Sequence, residues 1–236
     1  MNRTRLSLMG ERIIDFSDLL FSYKGTTFRL ELPEFQVDAG ERVALIGRSG
    51  CGKSTLLDLA CGIKRPGRGR VAFNGSDLAD QGEIERRKAR LSSIGLVFQE
   101  FRLLEYLSVL DSILLPVRLA GRPVTREVRE RARELAHRAG IEHLLKRRPH
   151  RLSQGERQRA AICRALVSAP RLVLADEPTG NLDPDTGEAV LDLLFDEVRT
   201  ANAALLVVTH DHVILPRFDR VVDLTKENLA GKEGAQ

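Results

Sequence analysis

The run GRSGCGKST, Gly47 to Thr55, decides the fold. It matches G-x-x-x-x-G-K-[ST], with Gly47, Gly52, Lys53 and Ser54 in the defining places and Arg48, Ser49, Gly50 and Cys51 between them. Glycines at these positions let successive backbone N–H groups wrap phosphate oxygens. Lys53 then sets a point charge on the β- and γ-phosphates, and the Ser54 hydroxyl can hold Mg²⁺. The apolar RVALIG ahead of the run reads as a buried strand, and KSTLLDLACG after it as a helix closed by Gly62. An ordinary glycine-rich turn is the weaker reading, because strand, loop and helix stand in the order the mechanism requires.

Two further apolar strands end in chemistry. RLVLADEPTGNLD delivers adjacent carboxylates, Asp176 and Glu177, and AALLVVTHD delivers His210. Side chains alternate at a strand end, so the two acids cannot do the same job. Asp176 is expected in the metal shell and Glu177 at the attacking water. A solvated acidic turn accounts poorly for acids placed just where a buried strand stops, since ligands sit at such ends in open α/β sheets. His210 alone, or Gln99 after GLVF, carries little weight. Together they are further deliveries to the same edge.

LSQGERQR, Leu152 to Arg159, spells a capping box, with Ser153 and Glu156 three residues apart ahead of a helical run. The start of that helix, Ser153, Gln154, Gly155 and Glu156, is also a ready anion site.

The chain has 236 residues, 42% of them hydrophobic, enough for one large α/β domain. No apolar run approaches the roughly 20 residues that span a bilayer. The first dozen residues lack the apolar core of a signal peptide, so a cytoplasmic protein is expected. Three cysteines without metal-ligand spacing read as reduced thiols. The net charge is +4, with arginines crowded between Arg118 and Arg159. In TREVRERARELAHRAG one face is apolar, and Glu127 with Arg131 and Glu134 with Arg138 are i,i+4 pairs. A solvated helix stopping near Gly140 is therefore expected, rather than a nucleic-acid surface.

The order of the motifs resembles the nucleotide-binding subunit of an ABC transporter: Walker A at Gly47 to Thr55, Gln99, LSQGE, Walker B with Glu177, GNLD at Gly180 to Asp183, and His210. The likeness runs from about Phe16 to Leu224. It implies an α/β fold, the P-loop NTPase of ABC type: a mostly parallel core sheet with an antiparallel β subdomain and an inserted helical subdomain. The expected layout is one domain over 12–228. Its core with the β subdomain takes 12–98 and 170–228, and its helical subdomain 99–169. Tails would occupy 1–11 and 229–236, and Lys226 to Gln236 reads as frayed.

The resemblance also implies roles. Tyr23 would stack on adenine, against the alternative of a packed strand aromatic. Gln99 would touch metal or water and report to the helical subdomain. Glu177 would be the general base, His210 would contact the γ-phosphate, and Asp183 would communicate between the two sites of a dimer. Two chains would sandwich two ATP with Mg²⁺, each between one chain's Gly47 to Thr55 and the other's Ser153 to Glu156. Partners would be a second ATPase chain and an integral membrane permease, with the protein peripheral on the inner face of the membrane.

ADEPTGNLD and VFQEFRLLEYLSVLDSILLPVRLAG are most similar to ATPases of the lipoprotein-releasing, macrolide-exporting and cell-division type. Three departures stand out. Gln154 replaces the usual glycine, EFR follows Gln99 where relatives often show histidine, and the segment after Asp223 lacks the usual acidic-glycine strand. A chromosome-maintenance ATPase would interrupt the chain between Walker A and the LSQGE signature with a long coiled coil. Fewer than about a hundred residues separate Thr55 from Leu152, without heptads. A ribosome factor would carry two cassettes. No nucleic-acid partner is expected.

Overall fold

The computed structural model describes residues 11–180 and 182–231. The chain opens with a hairpin of β1 (Arg12–Ser22) and β2 (Arg29–Asp38), then β3 (Arg42–Ile46) and α1 (Lys53–Ala60). Next come β4 (Arg68–Phe73), β5 (Ser76–Asp77), α2 (Glu83–Ser93) and β6 (Ile94–Val97). Three helices follow, α3 (Val109–Leu119), α4 (Arg126–Arg138) and α5 (Gln154–Leu166). The chain returns through β7 (Leu172–Asp176), α6 (Pro184–Ala201), β8 (Ala204–Val208), β9 (Arg220–Asp223) and α7 (Leu224–Glu227).

One sheet is parallel, in the order β6-β7-β8-β3-β9, and the other is antiparallel, in the order β2-β1-β4-β5. The apolar runs of β3, β7 and β8 form the centre of the parallel sheet because both of its faces are covered. Alternation sorts their side chains. Val43, Leu45, Leu174, Leu206 and Val208 face a core shared with α1 and the antiparallel sheet. Ala44, Val173, Ala175, Leu205 and Val207 face a core shared with α3, α4, α5 and α6. The C-terminal ends of three neighbouring strands thus lie side by side, which is where an open parallel sheet binds ligands.

Helix ends follow the sequence. Ser108, Thr125, Ser153 and Asp183 each cap a helix by accepting a backbone N–H, and Gly140 leaves α4 at φ 68°. Ser153 and Glu156 complete a capping box: Glu156 N–H donates to Ser153 Oγ at 3.2 Å, and Ser153 N–H to Glu156 Oε2 at 2.7 Å. The thiols of Cys61 and Cys163 are buried, which pushes them up to about 11 and about 12.

Three expectations are corrected. Arg131 and Arg138 do not pair along α4 with Glu127 and Glu134. Both reach α6, where Glu197 Oε2 and Oε1 each accept a bond of 2.6 Å. A largely buried carboxylate flanked by two guanidiniums outcompetes two solvated helix pairs. The stretch from Gly67 to Phe98, read from the sequence as mixed with strands at GRVAF and SIGLVF, also contains a helix, α2, which has no apolar stripe to read; its buried side chain is Arg86. Nor is Lys226 to Gln236 frayed throughout. Asn228 is buried against β2, accepting from Glu31 N–H at 2.9 Å and donating to Arg29 O at 3.1 Å. The expected extremes of both tails, residues 1–10 and 232–236, lie outside the described residues.

Candidate nucleotide site

The loop between β3 and α1 turns on glycines in backbone regions closed to other residues: Gly47 at φ 147° and Gly52 at φ 108°. A side chain at either place would also crowd a neighbour. A Cβ on Gly52 would sit 3.0 Å from Phe28 Cζ, and one on Gly47 2.8 Å from Cys51 Sγ. Lys53 lies inside the loop, its Nζ donating to Gly47 O at 2.8 Å and Arg48 O at 3.0 Å. Its ammonium is therefore held on the loop's carbonyls, a pair of dipoles it would exchange for the charge of a phosphate.

Ser54, at the next position, donates its hydroxyl to Asp176 Oδ2 at 2.8 Å, joining the start of α1 to the end of β7. These are hard oxygen donors, the chemistry Mg²⁺ prefers. Glu177 takes φ 49°, left-handed for a residue that precedes proline. Its N–H donates to Val208 O at 3.0 Å, and its Oε1 lies 2.7 Å from His210 Nδ1. That carboxylate holds the His210 pKa above its ordinary value, first through the hydrogen bond and then through charge. The kink turns Glu177 away from the line of β7, so the two adjacent acids serve different neighbours.

Tyr23, Ser49, Gly50, Thr55 and Gln99 join these residues around one cleft of about 530 Å³. Tyr23 is pinned by its hydroxyl, 3.0 Å from Thr55 Oγ1, and its ring meets Phe21 edge-on at 4.9 Å and Phe28 at 5.4 Å. Gln99 is exposed just past β6. Arg48 and Cys51 shape the loop from outside the cleft: Arg48 N–H donates to Thr225 Oγ1 at 3.1 Å and Cys51 N–H to Arg48 O at 3.2 Å.

Ser153, Gln154, Gly155, Glu156 and Asp183 do not line that cleft. Ser153, Gln154 and Asp183 stand at the starts of α5 and α6, and Leu182 approaches Gly155 so closely that a Cβ there would meet Leu182 Cδ2 at 3.1 Å. Hydrogen bonds from the backbone hold the Glu156 and Asp183 carboxyls below their usual range. Sequence reasoning missed Phe28 and Thr225. Phe28 was signalled as the second aromatic of the YKGTTF turn. Thr225 reaches the loop only because β9 pairs with β3, and nothing local announces it.

Comparison with known proteins shows the family. The ABC transporter family model matches residues 30–180. An uncharacterized ABC transporter ATP-binding protein of Mycobacterium tuberculosis is 45% identical over 215 residues, 90% of this chain and 86% of that one. The lipoprotein-releasing system ATP-binding protein LolD of Pseudomonas fluorescens is 43% identical over 196 residues, 83% of this chain and 86% of that one. Among solved structures, the ATP-binding cassette MJ0796, a dimer bound to ADP and Pi in a post-hydrolysis state, superposes with a TM-score of 0.82. It is 32% identical and covers 93% of this chain and 95% of its own. The chain belongs to the ABC transporter family, as one of its ATP-binding and ATP-hydrolysing cassettes.

Proposed function

We propose that the chain powers a membrane permease that extracts or exports a lipoprotein, a lipid or another hydrophobic compound at the cell envelope. It works as a dimer peripheral on the cytoplasmic face of the membrane. The observation that carries the chemistry is the convergence of Lys53, Ser54, Asp176, Glu177 and His210 at the ends of three adjacent strands. The amides of Gly47 to Thr55 bind the ATP phosphates, with Lys53 on the β- and γ-oxygens and the Tyr23 ring against the base. Ser54, Gln99 and Asp176 would hold Mg²⁺, which would supply positive charge against that developing on the phosphates. Glu177 takes the proton of the attacking water, and His210 steadies the γ-phosphate. Ser153 to Glu156 serve the ATP of the other chain, and Asp183 connects the two sites. The placement of that helix start away from its own cleft supports this division.

The dimeric MJ0796 cassette and the LolD relatives support the two-chain and envelope readings. A permease element would dock near Gln99, where Leu96, Phe98, Leu115 and Leu119 line a groove of about 240 Å³. A nucleic-acid role is disfavoured because Arg131 and Arg138 are engaged by Glu197. Lys53→Ala should weaken ATP binding by at least about tenfold, because a charge-assisted contact is lost. Titration with a fluorescent ATP analogue checks this, and unchanged affinity would remove Lys53 from the phosphate site.

A further inference from the structure

The short helix α7 and the asparagine that follows it touch the structures on both sides of the nucleotide cleft. β9 pairs with β3 so that Asp223 stands beside Ile46, the residue just before the phosphate loop. Two positions further on, Thr225 reaches that loop. Its Oγ1 accepts the Arg48 N–H at 3.1 Å, and a Cβ on Gly47 would lie 3.0 Å from the same oxygen. The hydroxyl is held in place from behind. Thr225 N–H donates to Asp223 Oδ1 at 3.0 Å, and Leu224 is fully buried in the core shared with α1.

Asn228 acts on the other side. It is buried, and its amide bonds the start of β2, accepting Glu31 N–H at 2.9 Å and donating to Arg29 O at 3.1 Å. β2 is the outermost strand of its sheet, and an amide that takes an N–H and a C=O two residues apart fills the place of a further strand. An apolar side chain there would leave both groups unpaired. What the amide holds is the strand that follows Phe28 and the turn beginning at Tyr23. Phe28 lies against Gly52, and both aromatics line the cleft. Thr225 and Asn228 move as one piece, since Asn228 N–H donates to Leu224 O at 3.0 Å.

We propose that the segment 224–228 is a strap that sets the phosphate loop against the base side of the cleft, with Thr225 and Asn228 as positioning residues for nucleotide binding. Thr225 governs phosphate affinity through the Arg48 N–H, and Asn228 governs base affinity through β2 and the Tyr23 turn. The proposal rests on the reading of Gly47 to Thr55 as the phosphate site and of Tyr23 as the platform for the base.

The test is calorimetric titration of the full chain with ATP and, separately, with inorganic triphosphate, beside steady-state hydrolysis. Thr225→Val keeps the shape and removes the acceptor. It should weaken both ligands by about fivefold, because the Arg48 N–H loses its partner and the loop relaxes. Thr225→Ser restores the acceptor and should bring both back to within about twofold of the parent. Asn228→Leu should weaken ATP by about fivefold and inorganic triphosphate by less than about twofold, since triphosphate has no base to lose. In the weakened variants KM for ATP rises while kcat stays at the parent value, the pattern of residues that act through binding alone. If Asn228→Leu melts early, Asn228→Asp, which keeps the acceptor and loses the donor, carries the same comparison. Parent-like ATP affinity in either Thr225→Val or Asn228→Leu overturns the strap. So does a Thr225→Ser chain as weak as Thr225→Val, an equal loss of both ligands in Asn228→Leu, or a fall in kcat at unchanged affinity. Lys53→Ala and Tyr23→Ala measured alongside separate the two readings. Parent-like triphosphate binding in the first, or parent-like ATP binding in the second, removes the underlying site assignment. Weakened binding in both, beside parent-like Thr225 and Asn228 variants, removes the strap alone.

Discussion

Replacing Gly52 by alanine tests whether the loop's shape, and not merely its residues, creates the phosphate site. Gly52 stands at φ 108°, beyond the left-handed region that other residues visit, and a Cβ there would lie 3.0 Å from Phe28 Cζ and 3.4 Å from Leu30 Cδ1. Holding alanine in that backbone costs about 1–3 kcal/mol. Leu30 is in ordinary contact, so the strain falls on the backbone, and the loop rotates to relieve it together with the Phe28 contact. Rotation moves the amides at the start of α1 off the phosphates. At about 1.4 kcal/mol per tenfold, the strain corresponds to roughly 5- to 100-fold weaker ATP binding. Gly121→Ala is the control. It has positive φ as well, but nothing lies within 4 Å, so it should cost stability of about 1 kcal/mol and leave binding alone. Isothermal titration with ATP and a thermal melt read both quantities. If Gly52→Ala bound ATP within twofold of the parent, the loop-shape reasoning would be refuted.

Two other outcomes follow from the same geometry. Because Glu177 raises the His210 pKa, the pair's contribution is fully present below the ordinary histidine value of 6.5 and is lost as pH rises through the folded value. An NMR titration should show His210 above 6.5 in the parent and back near it in Glu177→Gln; an unchanged value would break the pairing. In the core, Leu206 is fully buried at the middle of β8. Leu206→Ala should destabilise by about 2–5 kcal/mol in urea unfolding, and a loss under about 1 kcal/mol would contradict the packing described.

The strands and their chemistry were legible because β7 and β8 are apolar throughout and stop at charged or polar residues. The signature helix was legible from its cap. Two kinds of feature were not. α2 is charged along most of its length and rests on one buried arginine, so no period marks it. Long-range polar partners were equally hidden: i,i+4 spacing offered Arg131 and Arg138 a local acid, while burial at Glu197 decided the pairing. Thr225 and Asn228 are of the same kind, since a tail residue's partner is set by which strand lies beside it in space.

In the proposed cycle two chains close on ATP and Glu177 opens them again by hydrolysis. Light scattering of Glu177→Gln with ATP and Mg²⁺, beside a phosphate-release assay, tests it most directly. The expected result is a species of two-chain mass with turnover reduced by about 100-fold or more, reverting to one-chain mass with ADP. A Glu177→Gln chain that stays at single mass in saturating ATP, or that hydrolyses at the parent rate, would contradict it.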